Sequence, residues 1–355
     1  METRGRPRIE DVARQAGVSK TAVSFAFNSP ERLSPDTATR IRDVAVALGY
    51  RPHPVARMLT QGTTRSLGIL TPQGLPVVFA NPFFASFAQG VAGVAEEAGY
   101  SLLFVSPVHG SLARAVGRAT VDGFVAMGLS QDHPEVEQIR GANLPIVMVD
   151  SGEFPDHPSV NIDDLAGARR AAEHLYALGH REFLVIGIEP PAPSTTRETG
   201  GVVERRLAGY RAGLAAHGLE ITAEHVVVGP ASIEGGDACL MRAWEDGLRP
   251  TAILAMSDVM AVGAMAAAKR LGLRVPADIS VVGFDDIDLA SHVEPALTTV
   301  HQPIVRKGEE AGRLLLALFE RGLDHDPVHL TLGTRLVVRS STARSPEREE
   351  VAGGN

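Results

Sequence analysis

Ile9-Glu10-Asp11-Val12-Ala13-Arg14-Gln15-Ala16-Gly17-Val18-Ser19-Lys20-Thr21-Ala22-Val23-Ser24-Phe25-Ala26-Phe27 decides the first part of the fold. Ile9, Val12, Ala13 and Ala16 recur at helical spacing and form one apolar stripe. Gly17 breaks the pattern, Val18 adds an apolar plug, and Ser19 stands where a helix N-cap belongs. A second helix is expected through Phe27. After a loop at Asn28, Ser29 and Pro30, Ser34 and Pro35 open a third helix whose stripe is Ile41, Val44, Ala45 and Leu48, ended by Gly49. Two helices joined by a tight glycine turn, with a third behind, make a helix-turn-helix. If Val23, Ala26 and Phe27 pack inward, Lys20, Thr21, Ser24 and Phe25 point outward. A cation, two hydroxyls and an aromatic ring suit the major groove of DNA: Lys20 for guanine or phosphate, Thr21 for base edges, Phe25 for a thymine methyl. The bland alternative is a small helical bundle with ordinary solvated faces.

Charge supports the first reading. Of 34 basic and 42 acidic residues, residues 1–65 hold 11 and 6, leaving 23 and 36 for the rest. A basic head on an acidic body is expected where only the head meets phosphates. The chain, at 355 residues, is long enough for a small module plus a two-lobed body. One cysteine, Cys239, permits no internal disulfide and fits a reducing cytoplasm. The polar, basic start is not a secretory signal, and no apolar run is long enough to span a bilayer.

From Ser66 the rhythm changes. Short apolar runs at Leu67–Leu70, Leu102–Val105, Gly123–Met127, Ile146–Val149, Phe183–Ile188, Ala252–Ala255 and Val281–Gly283 alternate with helical stretches such as Phe84–Ala98 and Leu165–Leu178. This is the βαβ pattern of parallel sheets covered by helices, here in two lobes. Asp150 follows one strand, Asp285 another and Ser257 a third, so all three face the crevice outside the strand ends. Carboxylates there accept from paired hydroxyls, and Arg206 can grip vicinal oxygens or a carboxylate. Alternatively, the Asp residues only cap helices and Arg206 only locks an ion pair. An enzyme is disfavoured. No Gly-x-Gly-x-x-Gly turn, phosphate loop, Gly-x-Ser-x-Gly elbow or His-Glu-x-x-His pair is present, and the twelve histidines are scattered.

The order and spacing of several motifs resemble the lactose-repressor family of transcriptional regulators. They are Ile9–Ala13, Gly17–Ser24, Leu48-Gly49-Tyr50-Arg51-Pro52 and Ala56-Arg57-Met58-Leu59 in the head. Asn81-Pro82-Phe83-Phe84, Val121-Asp122-Gly123, Arg206–Tyr210, Ser257-Asp258 and Val282–Asp286 are similar to landmarks of that family's body. The resemblance implies an α helix-turn-helix headpiece at 1–53, a hinge helix and linker at 54–65, and an α/β two-lobed, periplasmic-binding-protein-like (type I) effector domain at 66–343. The implied lobes are 66–161 with 303–330, and 162–300 with 331–343; a disordered tail at 344–355 is also expected. It places DNA contacts at Lys20, Thr21, Ser24, Phe25, Asn28, Arg6, Ala56 and Leu59, with Leu59 wedging into the minor groove. Arg6 lies in a basic arm whose alternative is a disordered tail. It places effector contacts at Pro72, Phe83, Asp150, Arg206, Ser257, Asp285 and Gln302. The departures are Phe25 in place of an arginine, Pro72 in place of a serine, Ser257 in place of an asparagine, and glycines at 235–236 in place of a stacking aromatic. The segment Pro72–Ala80 and the loop Pro190–Thr196 are candidate specificity loops near the expected cleft mouth.

The expected protein is thus a cytoplasmic, homodimeric repressor, neither an enzyme nor a membrane protein, that binds a double-stranded operator under control of a sugar-like effector. It needs no cofactor or metal. The alternatives are a periplasmic-type solute-binding protein and a DNA-binding protein that answers to no ligand.

Overall fold

A computed structural model describes residues 7–50, 62–131, 133–152, 154–189, 201–322 and 326–346. Arg6, the hinge residues Ala56 and Leu59, the loop Pro190–Thr196 and the tail from 347 lie outside the described residues. The chain divides into two compact units, Met1–Thr64 and Arg65–Asn355.

The first unit is helical: α1 (Ile9–Ala16), α2 (Lys20–Asn28) and α3 (Pro35–Leu48). Gly17 takes the left-handed conformation at φ 66°, which a side chain would resist, and so turns the chain sharply after α1. The Ser19 hydroxyl accepts from the Ala22 amide at 3.1 Å and caps α2. Ser34 does the same for α3 by accepting from Thr37, with Pro35 in the first turn. Val12, Val23, Ala26, Ile41 and Ala45 are buried together where the three helices meet. Val23 and Ile41 are fully buried, each worth roughly 1.5–3 kcal/mol of apolar transfer. Arg42 donates to the Ala26 carbonyl at 3.2 Å, fastening the end of α2 to α3.

The second unit holds two six-stranded sheets. The first contains β1 (Ser66–Leu70), β2 (Ser101–Val105), β3 (Gly123–Met127), β4 (Ile146–Val149), β5 (Ser159–Ile162) and β11 (His329–Leu332). Its order is β11-β5-β4-β3-β1-β2, all parallel. The second contains β6 (Phe183–Ile188), β7 (Val226–Gly229), β8 (Ala252–Ala255), β9 (Ser280–Asp285), β10 (Thr298–His301) and β12 (Arg335–Val337). Its order is β12-β10-β9-β8-β6-β7, with only β12 antiparallel. β3, β4 and β8 are buried along their whole length, as parallel strands between helical layers must be.

The chain passes between lobes three times: after β5, after β10, and between β11 and β12. All three passages leave the β5/β11 edge of one sheet and the β10/β12 edge of the other. The last falls after Leu332, two residues beyond the expected boundary, because β11 pairs with β5 through Leu332. Among the described residues no helix is long and apolar enough to cross a membrane.

Candidate functional site

In the helical unit, α2 shows Lys20 and Thr21 to solvent, while Val23 and Ala26 are buried beneath them. The Lys20 ammonium is not idle: it pairs with Glu10 at 2.7 Å. That pair is exposed on both sides, so little is lost when phosphate displaces the carboxylate. Phe25 is half-buried, with the Arg32 guanidinium 5.1 Å from its ring centre. Asn28 corrects the expectation. It is the last residue of α2 rather than a loop residue. Its amide donates to Ser24 at 3.3 Å, and its carbonyl oxygen is buried without a hydrogen-bond partner among the described residues. Asn28 is turned at least partly inward.

In the larger unit a cavity of about 600 Å³ opens between the lobes. Six of the seven expected effector residues line it: Pro72, Phe83, Asp150, Arg206, Ser257 and Asp285. Pro72 follows β1, Asp150 follows β4, and Ser257 and Asp285 come from the ends of β8 and β9, so strand ends build the polar floor. Phe83 sits at the start of the helix Pro82–Glu97, whose N-cap Asn81 accepts from the Phe83 amide at 3.0 Å. Both carboxylates stand on unusual backbone, Asp150 at φ 50° and Asp285 at φ 120°. Such strain persists only where packing over-determines it, and it clusters at binding sites.

Asp150 follows β4, Ser257 follows β8 and Asp285 ends β9, while Ile188 ends β6 and Val228 lies in β7. Glu189 and Glu204 line the cavity next in sequence to Ile188 and Val203, so charged and apolar groups are mixed in the lining.

Gln302 is a correction: it does not line the cavity. Its amide nitrogen donates to Asp285 Oδ1 at 2.6 Å and its oxygen accepts from Lys307 at 2.6 Å, so both ends of the amide are committed. Lys307 in turn bonds Asp150. Arg206 does two jobs that the sequence reading set against each other. It lines the cavity, and it pairs with Asp164 at 2.8 Å and faces Asp285 at 3.6 Å, stacked on the Phe284 ring. Burial works against the Arg206 charge, but Asp164 and Asp285 outweigh it and hold the proton more firmly than usual. Burial also raises the Asp285 carboxyl to about 6, although Arg206, Gln302 and Lys307 all favour its charge. Asp258, behind Ser257, is pushed well up by burial and by the Asp285 charge, against hydrogen bonds from Thr299 and the Ile287 amide. Arg205 adds a link across the lobes, donating to the Ser151 carbonyl at 3.1 Å while holding Asp164 at 2.9 Å.

The glycines at 235–236 have a different cause from the expected one. They do not line the cavity but lie in the helix Ile233–Glu245, against the helix Asp258–Arg270. A Cβ on Gly236 would meet the Met260 carbonyl oxygen at 2.0 Å. Helix contact, not ligand choice, excludes an aromatic there.

Sequence reasoning missed Lys307 and Asp164. Lys307 was detectable, because it falls on the buried stripe of Ile304, Gly308, Ala311 and Leu315 in the helix Ile304–Arg321. Asp164 was not, since nothing local distinguishes it from an ordinary first-turn carboxylate.

Comparison with known proteins adds the following. The pattern of bacterial regulatory proteins, lacI family, matches residues 8–53, and that of a periplasmic binding protein-like domain matches residues 172–342. The HTH-type transcriptional regulator CelR of Thermobifida fusca is 32% identical over 350 residues, 96% of this chain and 100% of that protein. The HTH-type transcriptional repressor CytR of Escherichia coli (strain K12) is 31% identical over 352 residues, 95% of this chain and 97% of its own. Among solved structures, the lac repressor dimer bound to operator and the anti-inducer ONPF has a TM-score of 0.78 at 28% identity, covering 96% of this chain and 100% of that one. A CelR–cellobiose complex has a TM-score of 0.69 at 30% identity, covering 95% and 100%.

Proposed function

The chain belongs to the lacI family of bacterial regulatory proteins, and on that premise we propose that it is a cytoplasmic, homodimeric transcriptional repressor whose operator affinity is set by a hydroxyl-rich metabolite held between its lobes. It is a DNA-binding transcriptional regulator; the relatives are regulators, not enzymes, and we assign it no catalysis. The observation that carries the effector reading is the cavity itself. Carboxylates from opposite lobes, Asp150 and Asp285, share it with Arg206 and Ser257. Hydroxyl donors suit these polar groups, and the apolar side chains Ile188, Val202 and Val228 suit a ring face or an apolar substituent. The CelR relative holds cellobiose, which supports a sugar-like ligand of this size.

The DNA reading rests on Lys20 and Thr21 exposed on a well-capped α2, with Ser24 and Phe25 beside them. Arg6, Ala56 and Leu59 complete the proposed interface on the strength of the family motif. Dimerisation is supported by the operator-bound dimer among the relatives and by exposed apolar side chains, Val77 and Phe79 on the helix Leu75–Ala80 and Leu103 on the edge strand β2. A ligand that closes or opens the lobes would act on the linker before Arg65, and so on operator affinity.

A thermal-shift screen of sugars and related metabolites on the full chain tests the effector reading. A ligand at a hundredfold its Kd adds about 2.7 kcal/mol of stability. An operator selected from random DNA should then change affinity with the same compound. Stabilisation without any change in operator affinity contradicts the proposal. Leu59→Ala should weaken operator binding sharply; equal affinity in a gel-shift titration removes the hinge assignment.

A further inference from the structure

Lys307 is fully buried on the apolar stripe of the helix Ile304–Arg321, where an ammonium is costly unless it is paired. Its three donors have three destinations: Asp150 Oδ2, Gln302 Oε1 at 2.6 Å, and the Phe83 ring, whose centre lies 4.9 Å away. Lys307 does not line the cavity, yet each of these neighbours touches the cavity or touches a residue that does.

Asp150 is left half-used. It is 7% exposed and lines the cavity; one oxygen is tied to Lys307, and the other, Oδ1, has no hydrogen-bond partner among the described residues. A buried carboxylate oxygen with no donor is expensive. With Oδ2 tied to Lys307, Oδ1 is the oxygen left to accept a hydrogen bond, from water or from a ligand hydroxyl that displaces it. Asp285, on the opposite lobe, is held by the same lysine at one remove, through Gln302.

Resting on the effector reading above, we infer that Lys307 is a positioning residue. It fixes carboxylates from both lobes as acceptors, so that the cavity takes a neutral, hydroxyl-bearing molecule and rejects its phosphate ester. The charge balance agrees. Among the described residues, Asp150, Glu189, Glu204 and Asp285 line the cavity against Arg206 and Arg211, and Arg206 is already committed to Asp164. An added phosphate would meet more negative charge than positive. The charged groups set around the Asp150 carboxylate are Lys307, Asp285 and, beyond Asp285, Arg206. Removing Lys307 therefore leaves Asp150 without its direct counter-charge, and a buried carboxylate in that position takes up a proton.

The test uses the full chain and has two arms. Without ligand, difference infrared spectra near neutral pH are compared for wild type, Lys307→Met, and Lys307→Met with Asp150→Asn. The single variant should show the carbonyl stretch of a protonated carboxylic acid, absent from wild type and from the double variant. A single variant with no such band overturns the positioning role. Should the single variant fail to fold, the double variant, which buries neither charge, should recover folding; a double variant that is no better also overturns it. In the second arm, melting shifts are measured with ribose and cellobiose, each beside its terminal phosphate ester. The neutral sugar should shift wild type more than its ester, and Lys307→Met should weaken that sugar about tenfold or more, the worth of one charge-assisted hydrogen bond. An ester that outperforms its sugar overturns the ligand class. If neither sugar nor ester shifts wild type, the sugar-like effector reading fails, while the infrared arm still decides Lys307.

Discussion

Arg206→Met is the substitution whose cost is best defined by the structure. The guanidinium is 3% exposed and serves Asp164, Asp285 and the Met256 carbonyl. Breaking a buried pair by removing one partner costs about 3–5 kcal/mol, because a charge is left without compensation. Two features pull the value toward the low end. Asp164 keeps Arg205 at 2.9 Å, and Asp285 keeps Gln302 at 2.6 Å. Met also retains part of the packing on the Phe284 ring that the Arg206 stem and guanidinium provide. We expect a loss of about 3 kcal/mol. For a body of this size that corresponds to roughly 6 °C in Tm. Calorimetric melting of the full chain without ligand measures it. Asp285 supplies an internal check. Arg206 lowers its pKa, so without Arg206 the carboxyl rises above about 6 and is protonated over more of the pH range. The deficit against wild type should therefore be larger at about pH 7.5 than at about pH 5.5. A variant that melts within a degree or two of wild type at both pH values refutes the view that Arg206 balances buried charge.

Further outcomes follow from other parts of the molecule. Lys20→Ala should weaken operator binding and flatten the log–log salt slope by about 0.9, while Glu10→Gln should change it little because the pair is exposed; unchanged binding in Lys20→Ala would take Lys20 out of the interface. The Asp285 carboxyl is raised from 3.8 to about 6 by burial, so the folded protein holds that proton more tightly than the unfolded chain does. The stabilisation is full below about pH 4 and is lost as pH rises through about 6; Asp285→Asn should remove this component from a plot of Tm against pH, and parallel curves would contradict it. Phe79→Asp with Leu103→Asp should shift sedimentation from dimer to monomer, and an unaltered dimer would move the interface elsewhere.

The head was legible in the sequence because its signals are local. Gly17, Ser19 and Ser34 each act within one turn of the chain, and the stripes of α1 and α3 need no knowledge of the rest of the fold. The central strands were legible because they are buried on both faces and read as apolar runs. Strands at the hinge edge were not. Thr298-Thr299-Val300-His301 looks polar, yet Thr298 and Thr299 are fully buried, their hydroxyls satisfied by Thr342 and Asp258. Ser159–Ile162 hides in the same way, whereas His329–Leu332 is largely exposed and carries no apolar run. In the cavity, strand-end position identified Asp150, Ser257 and Asp285. Pairings such as Asp164 with Arg206 bring together helices 42 residues apart and leave no local trace. Gln302 came only from the family resemblance, and in the structure its amide nitrogen donates to Asp285.

The central claim is that the cavity governs the head. It is tested most directly by fluorescence anisotropy of the wild-type chain on its selected operator, titrated with a compound that raises the protein's Tm. The account predicts that operator affinity changes with that compound, and that the change is lost when Asp150 becomes Asn. Operator affinity that stays constant while the compound saturates the cavity would contradict it.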